Sequence, residues 1–191
     1  MQILHTLASW AGKAMRPLRA GEEKLASRTF GVAGGALRVM SPAFVDGAVM
    51  PDHYASAGGA SPPLEIGGVP KDAKEIVLIC EDPDAPLRHP FVHWMLRVPA
   101  RVTSLAQGIV TTPKPPNAPL GTVQGKSTLH RHGYTGPTPP PGHGPHHYHF
   151  QVFALDSPLM LPPDAPRDEV VSAMRGRVIA KGEVVGVYEQ R

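Results

Sequence analysis

The sequence predicts a mainly β protein, an antiparallel β-sandwich with a few helices at its periphery. Three observations lead there. Apolar runs of strand length recur at ALRV (36–39), EIVLICED (75–82), FVHWMLRV (91–98), HYHFQVFALD (147–156) and EVVGVYE (183–189). Turn clusters such as ASAGGASPP and TTPKPPNAPLG separate them, in a chain that holds 23 prolines and 20 glycines. No regular helices lie between consecutive runs, as a parallel α/β sheet would require. A hydrophobic share of 41% over 191 residues suffices for one sizeable core, and the recurring apolar runs argue against disorder.

The elements follow in order. In MQILHTLASWAGKAMRPLR, apolar residues fall at Ile3, Leu7, Trp10, Ala14 and Leu18, with Leu4, Ala11 and Met15 beside them. That spacing predicts an amphipathic helix. Its charges, Lys13, Arg16 and Arg19, are all positive, a pattern shared with helices that lie on membranes. Trp10 and Lys13 interrupt any signal-peptide core. Packing on the domain, or on a second copy in a homodimer, is preferred to membrane contact. The chain then divides into residues 1–28, helix and linker, and a single domain over 29–191. The strands come next. A second helix is expected over 166–176, opened by Pro166, with Asp168 and Glu169 in its first turn and Gly176 at its end.

Composition excludes several classes of function. A net charge of +3, with no basic stripe interleaved with aromatics, disfavours nucleic acid. Cys80 is the only cysteine, so no intrachain disulfide forms; its place in IVLIC predicts a packing role, and a cytoplasmic home is compatible. No apolar run approaches the roughly 20 residues that span a bilayer. GTVQGKST (121–128) imitates a phosphate-binding loop, but its glycines enclose one residue too few and Gly133 and Pro137 bar a following helix.

Three segments carry chemistry. In CEDPDAP (80–86) a strand ends in Glu81, Asp82 and Asp84, bracketed by prolines. Alternation puts Asp82 on the core-facing row of Ile76, Leu78 and Cys80, where a carboxylate needs a partner. Turn capping is the plainer reading of both aspartates. In FVHWMLRV, alternation groups Phe91, His93, Met95 and Arg97. His93 is either a satisfied structural histidine or, if the strand returns beside the acidic turn, a partner of Asp82 with its second nitrogen free for an anion. In GPTPPPGHGPHHYHF (136–150), a stiff proline loop runs into an alternating strand. His146 and Tyr148 share one face, a spacing of two donors that suits a phosphate or carboxylate; His147 and His149 face the other way.

DPDAP (82–86), FVHW (91–94), GYTGPTPPPGHGPHHYHFQVFALD (133–156) and GEVVGVYE (182–189), in that order, resemble the phosphatidylethanolamine-binding protein family, in its bacterial Raf-kinase-inhibitor-like branch. The resemblance runs from about residue 37 to the end and leaves the first helix outside. It implies a β-sandwich with a small anion pocket at one end and no defining catalytic reaction. The implied pocket residues are Asp82, His93, His146 and Tyr148, with Asp84, Pro86, Gly136 and Pro137 shaping the rim. The implied ligands are phosphate or phosphoethanolamine-like groups, and the implied partners include a kinase or protease; no cofactor and no metal are implied. Two places depart from the family's pattern. Ser127, Thr128 and His130 stand where an Asn-Ser pair and a glycine are usual, and a histidine in place of that glycine implies an altered loop or an added donor at the rim. His147 replaces a usual arginine.

Two other classes of function compete. His130, His132, His143, His146, His147 and His149 crowd one stretch, as in metal-binding tracts, but no four-ligand set with cysteine is evident. Adventitious surface affinity is the preferred reading, with His149 facing outward. A small-ester or phosphoester hydrolase could use Asp82, His93 and Tyr148 as acid and base, but no nucleophile elbow is present.

Overall fold

The computed structural model describes residues 2–31, 35–56 and 58–190, with side chains from residue 8 onward. Helix α1 (Gln2–Met15) leads, followed by single 3₁₀ turns at Glu22–Lys24 and Ala26–Thr29. The strands are β1 (Arg38–Met40), β2 (Leu64–Gly67), β3 (Glu75–Asp82), β4 (Phe91–Pro99), β5 (Ser104–Leu105), β6 (Val123–Gln124), β7 (His146–Leu155) and β8 (Val178–Tyr188), and α2 (Arg167–Ala173) precedes the last. They form two antiparallel sheets, β1-β2-β5 and β6-β4-β3-β7-β8. The fold is the mainly β sandwich that the alternation and turns predict.

Three of the four long strands, β3, β4 and β7, coincide with the predicted runs to within a residue at each end; β8 and the short strands do not. β2, β5 and β6 are two to four residues each, too short for a period to be read. β1 sits two residues later than expected. β8 begins at Val178 instead of Glu183, because Gly182 is accommodated within the ladder opposite Val152. Helix α2 stops at Ala173, and the chain turns through Gly176 at a positive φ of 73°. His130 holds the left-handed conformation that favours glycine, at φ 58°, and is exposed away from the cavity described below.

Both faces of the larger sheet are covered, which is why IVLIC (76–80) is apolar at every position. On the inner face, Ile76, Leu78, Cys80, Trp94, Leu96, Phe150 and Val152 pack against Val39, Leu64 and Ile66 of the smaller sheet. On the outer face, Val77, Ile79, Met95, Phe153 and Leu155 lie beneath Val170 and Val171 of α2, beneath Met174 just past its end, and beneath Ala26 and Phe30. Segment 20–30 is therefore packed, with Ala20, Leu25 and Ala26 at 1% exposure or less. The same cover corrects the reading of His149. It faces outward from the sheet as parity requires, but it is buried, with Nδ1 3.4 Å from Glu183.

Glu81 anchors that cover. Its carboxylate is wholly buried; one oxygen accepts from the Ala26 amide and the Gln151 side-chain amide, each at 2.8 Å, and the other from Arg167 Nε at 2.9 Å. Arg167 Nη2 also donates to the Lys24 carbonyl at 2.9 Å, so one guanidinium joins α2, β3 and the N-terminal segment.

Helix α1 lies against the proline-rich loop before β7. Gly12 is buried there because a side chain would strike the Pro141 carbonyl oxygen and the His143 amide. Gly142 passes close beneath Ser9. Trp10, Lys13 and Ala14 are on the exposed side, whereas Ile3, Leu4 and Leu7 of the expected apolar stripe lie outside the described side chains. No described helix is long and apolar enough to cross a membrane.

Candidate functional site

β3 ends where β4 and β7 begin, because both neighbours run antiparallel to it. That topology gathers the three chemically marked segments at one end of the large sheet. A cavity of about 230 Å³ opens there, lined by Asp82, His93, His146 and Tyr148, with Phe91 and Thr138 among the remaining wall. Pro86, Leu87, Pro139 and Pro140 also line it. Of the residues expected to form a site, Asp82, Pro86, His93, His146 and Tyr148 thus meet at one cavity.

Strict alternation would have separated His93 from the others. Cys80 pairs with Trp94 and Glu81 with Val92, so His93 is an extra residue, a β-bulge. Val92 then shares the outer face with Met95, while His93 turns inward, its ring 5.0 Å from that of Tyr148. The grouping of His93 with Met95 and Arg97 is corrected accordingly. Arg97 points outward and donates to the Leu159 and Leu161 carbonyls at 2.8 and 2.6 Å.

His93 Nδ1 lies 2.6 Å from the Thr135 carbonyl, which only accepts, so this nitrogen carries a proton. Its Nε2 makes no hydrogen bond to the described protein. Burial lowers the His93 pKa, opposed by the Asp82 charge and the Thr135 bond, so the free ring favours the neutral form. The Tyr148 hydroxyl is buried without a hydrogen-bond partner among the described residues. Burial, with Asp82 nearby, pushes its pKa well above the ordinary phenol value, so it remains a donor.

Asp82 accepts from the Asp84 and Ala85 amides at Oδ1, at 2.8 and 3.1 Å, and meets His146 Nδ1 at Oδ2, at 2.8 Å. It is therefore turn cap and site residue together. The other nitrogen of His146 lies 2.8 Å from His143 Nδ1. Both nitrogens of His146 are thus engaged, and the expectation that His146 offers a free donor to an anion is corrected.

Asp84, Gly136 and Pro137 are not in the wall. Asp84 pairs with Arg19 and accepts from the amide and Nδ1 of His147, at 2.8 and 2.7 Å. Burial works against its charge, but the His147 and Arg19 contacts outweigh it and hold the carboxyl below the usual range. Gly136 and Pro137 pack instead against the backbone of Tyr54 and Ser56, with the Pro137 carbonyl accepting from the Ser56 amide at 2.8 Å.

Sequence reasoning places His143 only among the crowded histidines and Arg19 only among the positive charges of the first helix, and assigns neither to the site. His143 is fully buried, and its Nε2 donates to the Met15 carbonyl in the last turn of α1, at 2.9 Å. Nothing in the sequence alone distinguishes it from the neighbouring histidines of that stretch. Among the described residues, no group of three or more His, Cys, Asp or Glu side chains is arranged to hold a metal.

Two antiparallel sheets packed face to face, with a small cavity over the ends of the central strands, define a β-sandwich with a pocket at one end. The chain belongs to the phosphatidylethanolamine-binding protein family, whose sequence profile matches residues 40–189. It is 40% identical over 174 residues to a UPF0098 protein of Pyrococcus horikoshii, spanning 90% of this chain and 80% of that one. Among solved structures it is similar to Escherichia coli YbcL, described as a new member of the mammalian PEBP family, with a TM-score of 0.76, 30% identity and coverage of 82% and 100% of the two chains. A PEBP homologue from Chlamydia trachomatis superposes with a TM-score of 0.72 at 35% identity, covering 82% of this chain and 99% of that one. The bacterial branch is thereby supported. Helix α1 and Arg19 precede the matched span, whereas His143 falls within it.

Proposed function

We propose that this protein binds a small phosphate-type anion, free or as the head group of a larger molecule such as phosphoethanolamine, and does not transform it. The observation that carries this reading is the unpartnered Tyr148 hydroxyl beside the uncommitted Nε2 of His93, in a cavity whose carboxylate is already paired. A buried donor without a partner is costly, and an anion's oxygen would satisfy it. Phosphatidylethanolamine, after which the family is called, carries such a group. Stiff prolines at positions 139 and 140 keep the wall organised before a ligand arrives.

Calorimetric titration with phosphate and phosphoethanolamine tests the reading. Tyr148→Phe and His93→Ala should each weaken binding by roughly ten-fold or more, the loss of a hydrogen bond to a charged group. Unchanged affinity in both variants, or no binding of either ligand to the native protein, refutes it.

A pH dependence follows. An anion favours the protonated His93 ring, whereas the free site favours the neutral one. Sulfate, which keeps its double charge across the range, should therefore bind more tightly as pH falls, by at most about ten-fold per unit above the depressed pKa. His93→Gln should flatten that slope. The stability of the free protein carries the opposite sign. The unfolded chain takes up this proton near pH 6.5, before the folded one does, so His93 costs stability as pH drops below about 6.5. Thermal melts with and without sulfate between neutral and mildly acid pH read both effects; a His93→Gln melt with the native pH profile would exclude His93 as their source.

A further inference from the structure

His143 completes a buried chain whose proton count is fixed by its ends. At one end the Met15 carbonyl can only accept, so His143 Nε2 carries a proton. At the other, one proton must lie between Asp82 Oδ2 and His146 Nδ1, and a third between His146 Nε2 and His143 Nδ1. Two neutral imidazoles and a carboxylate supply only two. The complete chain therefore holds one proton more, and its net charge is zero whichever ring or oxygen carries it. Without that proton, two lone pairs would face each other at one of two 2.8 Å contacts. Asp82, His143 and His146 are all nearly inaccessible, at 4%, 0% and 1%, so water cannot replace the missing bond.

We propose that His143 is a positioning residue that sets the charge specificity of the pocket: by completing the Asp82–His146–His143 chain to α1, it cancels the one carboxylate in the wall and makes the cavity accept an anion. This rests on the anion reading above. A bare carboxylate beside the ligand would repel a phosphate-type group, and His146 by itself has no acceptor for its second nitrogen. The other titratable or charged groups around the chain do not supply the compensation. Arg19 is paired with Asp84, Arg16 Nε donates to the Gly142 carbonyl at 2.9 Å, His147 bonds Asp84, and Tyr148 remains a neutral phenol. His93, across the cavity, favours its neutral form.

The same chain ties the pocket to the N-terminal helix. Three polar links join the α1 region to the loop and turn beside the cavity: Met15 carbonyl to His143, Arg16 to Gly142, and Arg19 to Asp84. Lifting α1 removes the acceptor that orients His143. A substitution on the helix, remote from the cavity lining, should then weaken anion binding.

Two measurements on the full-length protein test this. Two-bond proton–nitrogen correlation spectra of the ligand-free protein at neutral pH report which ring nitrogens are protonated. Three protons shared by His143 and His146, or two with the third on Asp82 held against His146 Nδ1, are expected; His146 neutral with its proton on Nδ1 and an unprotonated contact to His143 overturns the proposal. Sulfate titration supplies the second readout. His143→Leu should bind sulfate roughly ten- to a hundred-fold more weakly, the range for a lost hydrogen bond to a charged group. His143→Gln, whose amide can accept from His146 and donate to Met15, should recover most of the affinity. Gly12→Leu, which collides with Pro141 and the His143 amide, should weaken binding several-fold with the cavity lining intact. Native affinity in a folded His143→Leu protein overturns this proposal and leaves the anion site standing. A native protein that binds no sulfate, phosphate or phosphoethanolamine overturns both.

Discussion

Arg167→Ala is expected to destabilise the protein by about 3 kcal/mol, the cost of leaving a buried carboxylate without its charged partner. Glu81 has no exposure at all, and its remaining donors, the Ala26 amide and the Gln151 side chain, are neutral. The lost guanidinium also releases the Lys24 carbonyl, so the segment over the outer sheet face loses a second tie. Arg167 itself is 23% exposed, which places the expected cost at the lower end for a broken buried pair. For a domain of this size the melting temperature should fall by roughly 6–12 °C. The mechanism makes a sharper statement than the magnitude. Glu81→Gln introduced into Arg167→Ala should restore part of the lost stability, because the neutral amide oxygen still accepts from Ala26 and no charge is stranded. If the double variant melts no higher than the single one, the loss comes from packing rather than from the buried charge.

The second large effect is expected at Gly136. A methyl group there would be driven into the Ser56 carbonyl oxygen and would stand 3.0 Å from the Tyr54 carbonyl oxygen. Both obstacles are backbone, and Ser56 already has a positive φ of 90°, so the segment has little freedom to yield. Gly136→Ala should cost about 2–3 kcal/mol, as overpacking of a close-fitted interior does. It should also impair the cavity, since the preceding residue, Thr135, supplies the carbonyl that orients His93. Chemical denaturation and sulfate titration of one preparation separate these consequences. A stable variant with native affinity would mean that the two backbones part without moving Thr135. Gly136 thus acts from behind the wall, through close backbone approach, rather than by touching a ligand.

The site shows where reading residues in order succeeds and where it stops. Asp82, His146 and Tyr148 were legible because β3 and β7 are long and regular, and period-2 alternation places them on the face of Leu78 and Phe150. His93 was legible as a residue but not as a direction. The extra residue in β4 changes the parity at one position, and a bulge leaves no mark in an apolar run. The histidine-rich stretch divided correctly into loop and strand, yet alternation ends at the strand boundary. It therefore had nothing to say about His143, whose partners are a helix carbonyl 128 residues away and a ring on β7. His149 illustrates the converse: its face was legible, and its burial was not, because the cover comes from elsewhere in the chain.

By itself, the sequence determined the strand content, the three marked segments and the side of β3 and β7 on which the polar residues fall. These are local properties, set by side-chain period, turn residues and proline stiffness over a few positions. The tertiary structure alone decided that the three segments share one end of a sheet, that a bulge turns His93 toward them, and that α1 and His143 lock His146 to Asp82. Those outcomes depend on strand register and on hydrogen bonds between atoms far apart in the chain, where each partner is chosen by packing and not by its neighbours in sequence.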